Sequence, residues 1–275
     1  MILHGHFFSR ILEMETAVSV LVPNARLADD PARPLKAGYL LHGLCGRSSD
    51  WIDFSQLAVY AEKYDMAFIM PEVARSFYRD MKLGQRYFTF VSQELPAMAR
   101  RVFNISDQRQ DTMIFGASMG GYGALSVALA HPEQYGCCGA FAPACLFLGE
   151  GLEYQRKHGS SQQFIDLFGT QLIKDFQAIF GPELRLNSDD DIMELLRGKA
   201  GASDALPLNS DMTPSIFMAC GTEDPMMLSD NRRFVQEVSH LDHATDLTYR
   251  EWKGGHDWIF FNQALKAALA HFLGC

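Results

Sequence analysis

The sequence predicts an α/β fold, a mostly parallel central sheet with helices on both faces. Three observations carry that reading. Short apolar runs alternate along the chain with stretches of helical spacing, the pattern of repeated strand–helix–strand units. The runs are continuously apolar rather than alternating, as strands buried on both faces are. A glycine-flanked serine stands where one such run meets the helix after it.

The elements follow in order. Phe7–Met14 and Thr16–Val22, rich in β-branched and apolar residues, read as an opening pair of strands. Pro23–Pro34 reads as a turn-rich loop. Ala37–Leu41 is a buried strand ending at His42-Gly43, Ser55–Tyr64 has helical spacing, and Met66–Met70 is a second buried strand stopped by Pro71. Phe88–Val102 reads as a helix with Pro96 either in its first turn or at a kink. Thr112–Phe115, Met119–Ala130 and Cys137–Phe141 read as strand, helix and strand, the helix closed by His131-Pro132. Residues 149–212 break the alternation. They are polar, with helices expected at Gln162–Phe168, Gln171–Phe180 and Asp190–Gly198 and no strand run. Alternation resumes with Ser215–Ala219 (strand), Ser229–Ser239 (helix), Thr245–Tyr249 (strand) and Trp258–Phe272 (helix). We read residues 1–275 as one domain and 149–212 as a helical, cap-like insertion. Ligands of such folds sit beyond the carboxyl ends of the strands, where the insertion would form one wall.

Composition narrows the function. A chain of 275 residues buries a substantial core without disulfide or metal staples. Its 24 basic and 33 acidic residues leave a net charge of −9, which argues against nucleic acid as a partner, since phosphate binding needs a dense basic footprint. No stretch reaches the roughly 18 consecutive apolar residues of a membrane span. Met1–Ser19 lacks the basic, apolar and small-residue regions of a secretory signal, so a cytoplasmic location is expected. The 6 cysteines are scattered and include no C-x-x-C pair, so neither a disulfide framework nor a metal site is expected. Cys137 and Cys138 read as buried thiols.

The chemistry concentrates at Gly116-Ala117-Ser118-Met119-Gly120, followed by Gly121 and Gly123. This is G-x-S-x-G in a strand-to-helix context. The turn must be sharp enough to push the serine hydroxyl above the sheet, and small residues two before and two after let strand and helix approach. The helix that follows aims backbone N–H groups at the serine, useful for a developing oxyanion. A serine hydroxyl is a weak nucleophile and needs a base, itself oriented by a carboxylate, in the chain order Ser, Asp/Glu, His.

Histidine candidates after Ser118 are His131, His158, His240, His243, His256 and His271. His256 is favoured because Lys253-Gly254-Gly255-His256-Asp257-Trp258 forms a glycine-rich loop between the last strand and the last helix; His158, in the insertion, stays open. Asp224, in Cys220-Gly221-Thr222-Glu223-Asp224-Pro225 after a strand, is the favoured acid, with Glu223 as the neighbouring alternative. The second oxyanion donor should come from the loop after an early strand, His42-Gly43-Leu44-Cys45-Gly46, so the backbone N–H groups of Leu44 and Met119 are the expected pair. His42 reads as a brace for that loop. Trp51, Tyr122 and Trp258 are candidate substrate contacts, weighed against ordinary roles in the core.

At these residues the chain resembles the esterase D-like branch of the α/β-hydrolases. It is similar above all to the tributyrin esterase and acetyl esterase group, akin to S-formylglutathione hydrolases, feruloyl esterases and mycolyltransferases. Tyr39-Leu40-Leu41-His42-Gly43 with Trp51, Arg75-Ser76-Phe77-Tyr78, Glu94-Leu95-Pro96, Gly116–Leu125, Cys220–Asp224 and Gly255–Trp258 carry the likeness, spread over almost the whole chain. The resemblance implies an α/β-hydrolase fold with Ser118 as nucleophile, Asp224 as acid, His256 as base, and Leu44 and Met119 as oxyanion donors. It further implies a serine carboxylesterase acting on small short-chain acyl esters, acetyl to butyryl, with no metal or organic cofactor. The chain departs from the group at Leu44-Cys45-Gly46, where Met-Ser/Tyr-Gly is common, and in 149–212; both bear on specificity. The alternatives are an S-formylglutathione hydrolase-like thioesterase, an acyltransferase, and a non-catalytic binding protein on the same fold. A homo-oligomer is compatible with all of them.

Overall fold

The computed structural model describes residues 1–25, 33–159, 161–198, 212–241 and 245–274. Its strands are β1 (Ile2–Ser9), β2 (Met14–Leu21), β3 (Lys36–Leu41), β4 (Met66–Pro71), β5 (Thr112–Ala117), β6 (Cys137–Phe141), β7 (Ser215–Gly221) and β8 (Leu247–Trp252). They form one eight-stranded sheet in the order β1-β2-β4-β3-β5-β6-β7-β8. β1 pairs antiparallel with β2, and β2 antiparallel with β4; all other pairs are parallel.

The helices are α1 (Asp50–Phe54), α2 (Leu57–Tyr64), α3 (Tyr87–Thr89), α4 (Leu95–Phe103), α5 (Met119–Ala130), α6 (Leu148–His158), α7 (Gln162–Phe180, kinked at Gly169), α8 (Ile192–Leu196), α9 (Leu228–Val238) and α10 (Trp258–Leu273). No described helix is long and apolar enough to cross a membrane. This is the α/β-hydrolase arrangement, as the sequence led us to expect.

Alternate residues of one strand feed opposite cores. In β5, Ile114 joins a cluster with Leu95, Ala99 and Leu125, whereas Met113 and Phe115 join one with Leu57, Ala61, Leu265 and Leu269. Burial on both sides explains the uninterrupted apolar runs. Helix α5, buried from Met119 to Leu129, is apolar all round because it lies inside the molecule.

β3 sits between β4 and β5, so the connections leaving β3 and β5 diverge. A crevice opens at such a switch point beyond the carboxyl ends. The loop after β3 and the turn after β5, which hold the two amides expected as oxyanion donors, therefore face each other across it.

Several elements differ from expectation. The opening strands are Ile2–Ser9 and Met14–Leu21, not Phe7–Met14 and Thr16–Val22. Residues 10–13 turn instead, because Glu94 accepts from the Arg10 amide at 2.8 Å and Ser9 Oγ from the Leu12 amide at 3.0 Å. Phe88–Val102 is divided: α3 runs into a π-turn at Phe90–Glu94, and Pro96 falls in the first turn of α4, where its missing N–H costs nothing. β8 begins two residues later than expected and runs three further, which brings the 253–257 loop to the strand end. Cys138 is buried and Cys137 half-buried; burial pushes the Cys137 thiol up to about 11.

The insertion is helical over its described part. It contains α6, which the sequence did not suggest, and α8 is the short, Asp191-capped core of the expected Asp190–Gly198 helix. Residues 199–211 of the insertion, 26–32 of the Pro23–Pro34 loop, and His243 lie outside the described residues.

Candidate active site

Ser118 joins β5 to α5 with φ 57° and ψ −119°, a conformation that L-residues rarely adopt. Its backbone is over-determined. The Ser118 amide donates to Phe141 O at 2.9 Å, and its carbonyl accepts from Gly121 N (2.9 Å), Tyr122 N (3.1 Å) and Ala144 N (3.1 Å). A Cβ on Gly116 would lie 2.0 Å from Gly120 O, and one on Gly120 would lie 2.2 Å from Leu41 O. The turn thus exists only because both positions are glycine. The serine side chain itself is half-buried at the crevice.

The loop after β3 stands against this turn. A Cβ on Gly43 would be 3.7 Å from Ser118 Cβ. Gly46 N donates to Gly43 O at 3.0 Å, closing a tight turn around Leu44. His42 braces it, as expected. The Val73 amide donates to His42 Nε2 at 3.2 Å, so that nitrogen carries a lone pair, and the proton on Nδ1 goes to Gly43 O at 2.8 Å. Trp51 Nε1 donates to Leu41 O at 3.1 Å and the Tyr78 hydroxyl to His42 O at 2.8 Å. Among the described residues no protein acceptor takes the amide of Leu44 or of Met119. Two N–H groups beside a serine, both without partners, are what a developing oxyanion requires.

Asp224 follows β7 and is 1% exposed. Its Oδ1 accepts from the amides of Met226 (3.0 Å) and Met227 (3.1 Å), and its Oδ2 lies 2.7 Å from His256 Nδ1. Burial pushes this carboxyl up, but the hydrogen bond and charge of His256 and the two amides outweigh it, so the net shift is downward. An ionised Asp224 accepts a hydrogen bond from His256 Nδ1–H, which leaves the Nε2 lone pair free. The two loops are sewn together through backbone: Glu223 N donates to Gly254 O at 2.9 Å and Thr222 N to Trp252 O at 3.0 Å. Asp257 then caps α10, its Oδ1 accepting from Phe260 N at 2.9 Å.

Glu223 faces Lys253 at the surface, 3.8 Å away, and holds no histidine. Among the other candidate histidines, His131 is paired with Glu133, His158 lies against Tyr154, His240 bonds the Gln236 carbonyl, and His271 packs on Phe217 and Phe272. Among the described residues, then, Asp224 and His256 are joined directly. No hydrogen bond links the Ser118 hydroxyl to the His256 ring; such contacts are often long until substrate closes the site.

Two of the expected substrate contacts are corrected. Trp51 and Tyr122 are fully buried, with the Trp51 indole N–H on Leu41 O and the Tyr122 hydroxyl on Asp190 O at 2.7 Å. Both shape the site from beneath and present no surface to a ligand. Trp258 is half-buried, edge-on to Trp51 at 5.0 Å and beside exposed Phe54. A contact absent from the sequence reading also emerges. Arg75 donates to Cys45 Sγ at 2.7 Å and pairs with Asp175 of α7 at 2.7 Å, tying the loop after β3 to the insertion.

A serine raised on a strained turn at the switch point of such a sheet marks an α/β-hydrolase of the serine type. The chain matches the Esterase family over residues 9–272 and belongs to it. It is 29% identical to the acetyl esterase of Caldicellulosiruptor saccharolyticus over 97% of this chain and 96% of that protein. Among solved structures it is similar to the fluorophosphonate-binding serine hydrolase F (FphF) of Staphylococcus aureus, with TM-score 0.79, 26% identity and coverage of 99% and 98% of the two chains. It is also similar to the S-formylglutathione hydrolase FrmB of Staphylococcus aureus, with TM-score 0.77, 25% identity and coverage of 99% of each chain. The protein is a serine carboxylesterase.

Proposed function

We propose that Ser118, His256 and Asp224 form the catalytic triad of an esterase for short-chain acyl esters, acetyl to butyryl. The observation that carries this reading is the 2.7 Å bond between His256 and a buried, doubly amide-bonded Asp224 at the same sheet edge as a strained serine. His256 Nε2 takes the Ser118 proton as Oγ attacks the ester carbonyl. The carbonyl oxygen, now negative, sits between the Leu44 and Met119 amides, each worth about 3 kcal/mol in the transition state. Collapse expels the alcohol, protonated by His256, and leaves an acyl-serine. Water, deprotonated by the same nitrogen, attacks the acyl carbon and releases acid and free serine.

The acyl-length assignment draws on the full-length similarity to an acetyl esterase. Replacing Ser118 by Ala should abolish turnover of p-nitrophenyl acetate and butyrate; retention of wild-type rates would refute the assignment. Chain-length profiling from acetate to octanoate tests the acyl limit. A thioesterase reading is favoured by the likeness to FrmB. It predicts faster turnover of S-formylglutathione than of oxygen esters.

We further take the chain as one domain with a cap-like 149–212 insertion. We also take its location as cytoplasmic, in keeping with the free thiols of Cys45, Cys137, Cys138, Cys145 and Cys220.

A further inference from the structure

Among the described residues β1 ends the sheet, with β2 as its one strand neighbour. No other described strand takes the main-chain groups of its outer edge. The parity of the pairing says which ones. Val22 N donates to Met1 O at 2.9 Å and the Met1 amine to Val22 O at 2.6 Å, so Met1 and Val22 form a hydrogen-bonded pair. In an antiparallel ladder such pairs alternate, so Leu3, Gly5, Phe7 and Ser9 point N–H and C=O at β2. Ile2, His4, His6 and Phe8 point theirs outward.

Natural sheets blunt such an edge with lysine, proline, a bulge or an inward charge. Ile2-Leu3-His4-Gly5-His6-Phe7-Phe8-Ser9 has no lysine, proline or carboxylate, and its register with β2 is unbroken along all 8 residues. Three of its four large apolar side chains are open, with Ile2 46%, Leu3 39% and Phe8 63% exposed, while Phe7 is half-buried against Phe90.

The strand is also symmetric about Gly5. Ile2 mirrors Phe8, Leu3 mirrors Phe7, and His4 mirrors His6. We propose that this edge docks a second copy of the chain, the two β1 strands pairing antiparallel about a two-fold axis through Gly5, so that the two sheets become continuous. In that register every outward-facing residue meets an outward-facing one: Ile2 meets the partner's Phe8, and His4 meets the partner's His6. All the outward N–H and C=O groups are thereby satisfied. Leu3 meets the partner's Phe7 on the other face. A two-fold interface needs such a self-complementary patch, and a strand from an unrelated protein does not.

Gly5 supplies an independent argument. Glycine weakens a strand, and in a strand it marks a bulge, a bend or close approach of another backbone. Here there is no bulge, and a Cβ at Gly5 would meet nothing within 4 Å of its own chain. In the proposed dimer Gly5 faces the partner's Gly5 in a non-hydrogen-bonded pair, the closest Cα approach in the ladder.

The test is the mass of the full-length protein by sedimentation velocity, with three variants. Wild type should sediment at twice the 30.8 kDa chain mass. His6→Pro removes only an outward N–H, so it should halve the mass while esterase activity stays within twofold. Phe8→Lys, a charge on the edge, should do the same. Gly5→Cys should form a covalent dimer under mild oxidation, because cysteines on the axis meet their own copies, whereas wild type treated alike should not. A monomeric wild type would overturn the proposal. So would a dimer that survives both His6→Pro and Phe8→Lys, or a Gly5→Cys protein that stays uncrosslinked. If an edge variant fails to fold, the cysteine crosslink decides. A foreign strand bound to a monomer at this edge would count against a second copy as the occupant.

Discussion

His256 Nδ1 lies 2.7 Å from Asp224 Oδ2, and the carboxylate that accepts this hydrogen bond is 1% exposed and already holds two backbone amides on its other oxygen. The pairing fixes the imidazole tautomer before any substrate arrives. It also makes the Asp224 charge a part of the fold.

Asp224→Asn should therefore act twice. With an amide in place of the carboxylate, the Nδ1 proton loses its acceptor, and kcat should fall by about 10⁴-fold with KM little changed. The stability effect has a defined sign. The folded carboxyl titrates below its ordinary value, so the folded state binds fewer protons than the unfolded one. Its contribution is full above the unfolded value of about 3.9 and is lost as pH falls through the folded value. The melting-temperature gap between wild type and Asp224→Asn should be widest above about pH 4 and close below it. A gap that is constant across that range would show that the carboxylate is not held ionised.

Ser118→Gly separates function from strain. A non-glycine residue at φ 57° and ψ −119° carries about 1–3 kcal/mol of backbone strain. Glycine adopts this conformation freely, at an entropy cost of about 0.5–1 kcal/mol. The variant should have no esterase activity yet be more stable than wild type by about 1–2 kcal/mol in urea unfolding. Ser118→Ala, which keeps a Cβ, should lose activity without that gain. Equal stability of the two variants would mean that the turn stores no strain.

The turn was legible because the same few residues must satisfy chemistry and sterics at once. Gly116 and Gly120 stand where any Cβ would strike backbone, and α5 begins and ends where the sequence placed it. The Asp224–His256 hydrogen bond was legible because each residue sits just beyond a strand end, and β7 and β8 are neighbours in the sheet. What could not be read depends on distant partners. The β1–β2 turn is set by Glu94, and nothing in residues 10–13 announces that. Trp51 and Tyr122 have the composition of ligand contacts, but depth in the fold, which residue type does not encode, makes them supports. Helix α6 was missed because Gly149 and Gly151 lower its propensity and only Leu148, Leu152 and Gln155 are buried.

The Arg75 fork bears on the loop after β3 through Cys45, the residue after Leu44. Asp175→Ala removes the carboxylate that holds the fork and frees Arg75 to move. Small displacements of a transition-state donor cost disproportionately, so kcat for p-nitrophenyl acetate should drop on the order of 10- to 10²-fold. KM and labelling of Ser118 by a fluorophosphonate should remain. Arg75→Lys should restore little, because an ammonium cannot bridge a thiol and a carboxylate in one plane. Steady-state kinetics on the two variants check this, and an unchanged kcat in both would remove Arg75 from the positioning of the loop.

Arg79 and Asp190 form an ion pair in which both residues are buried, at 5% and 6% exposure. The guanidinium also donates to Ser126 Oγ of α5 at 2.5 Å and lies 4.4 Å from the Phe88 ring centroid. Asp190 Oδ2 accepts from the amide and the side chain of Asn187, each at 3.1 Å, and the Asp190 carbonyl accepts from Tyr122. The pair therefore joins the segment before α3, helix α5 that follows Ser118, and the insertion. Removing one partner strands a buried charge, so Asp190→Ala and Arg79→Ala should each lose about 3–5 kcal/mol in urea unfolding. Replacing both, as Arg79→Met with Asp190→Leu, removes the desolvation cost along with the attraction and should recover most of the loss. If the double variant is as unstable as either single one, the pair's worth lies in the geometry it imposes on α5, and the remaining esterase rate of that variant would report how far the Ser118 turn depends on it.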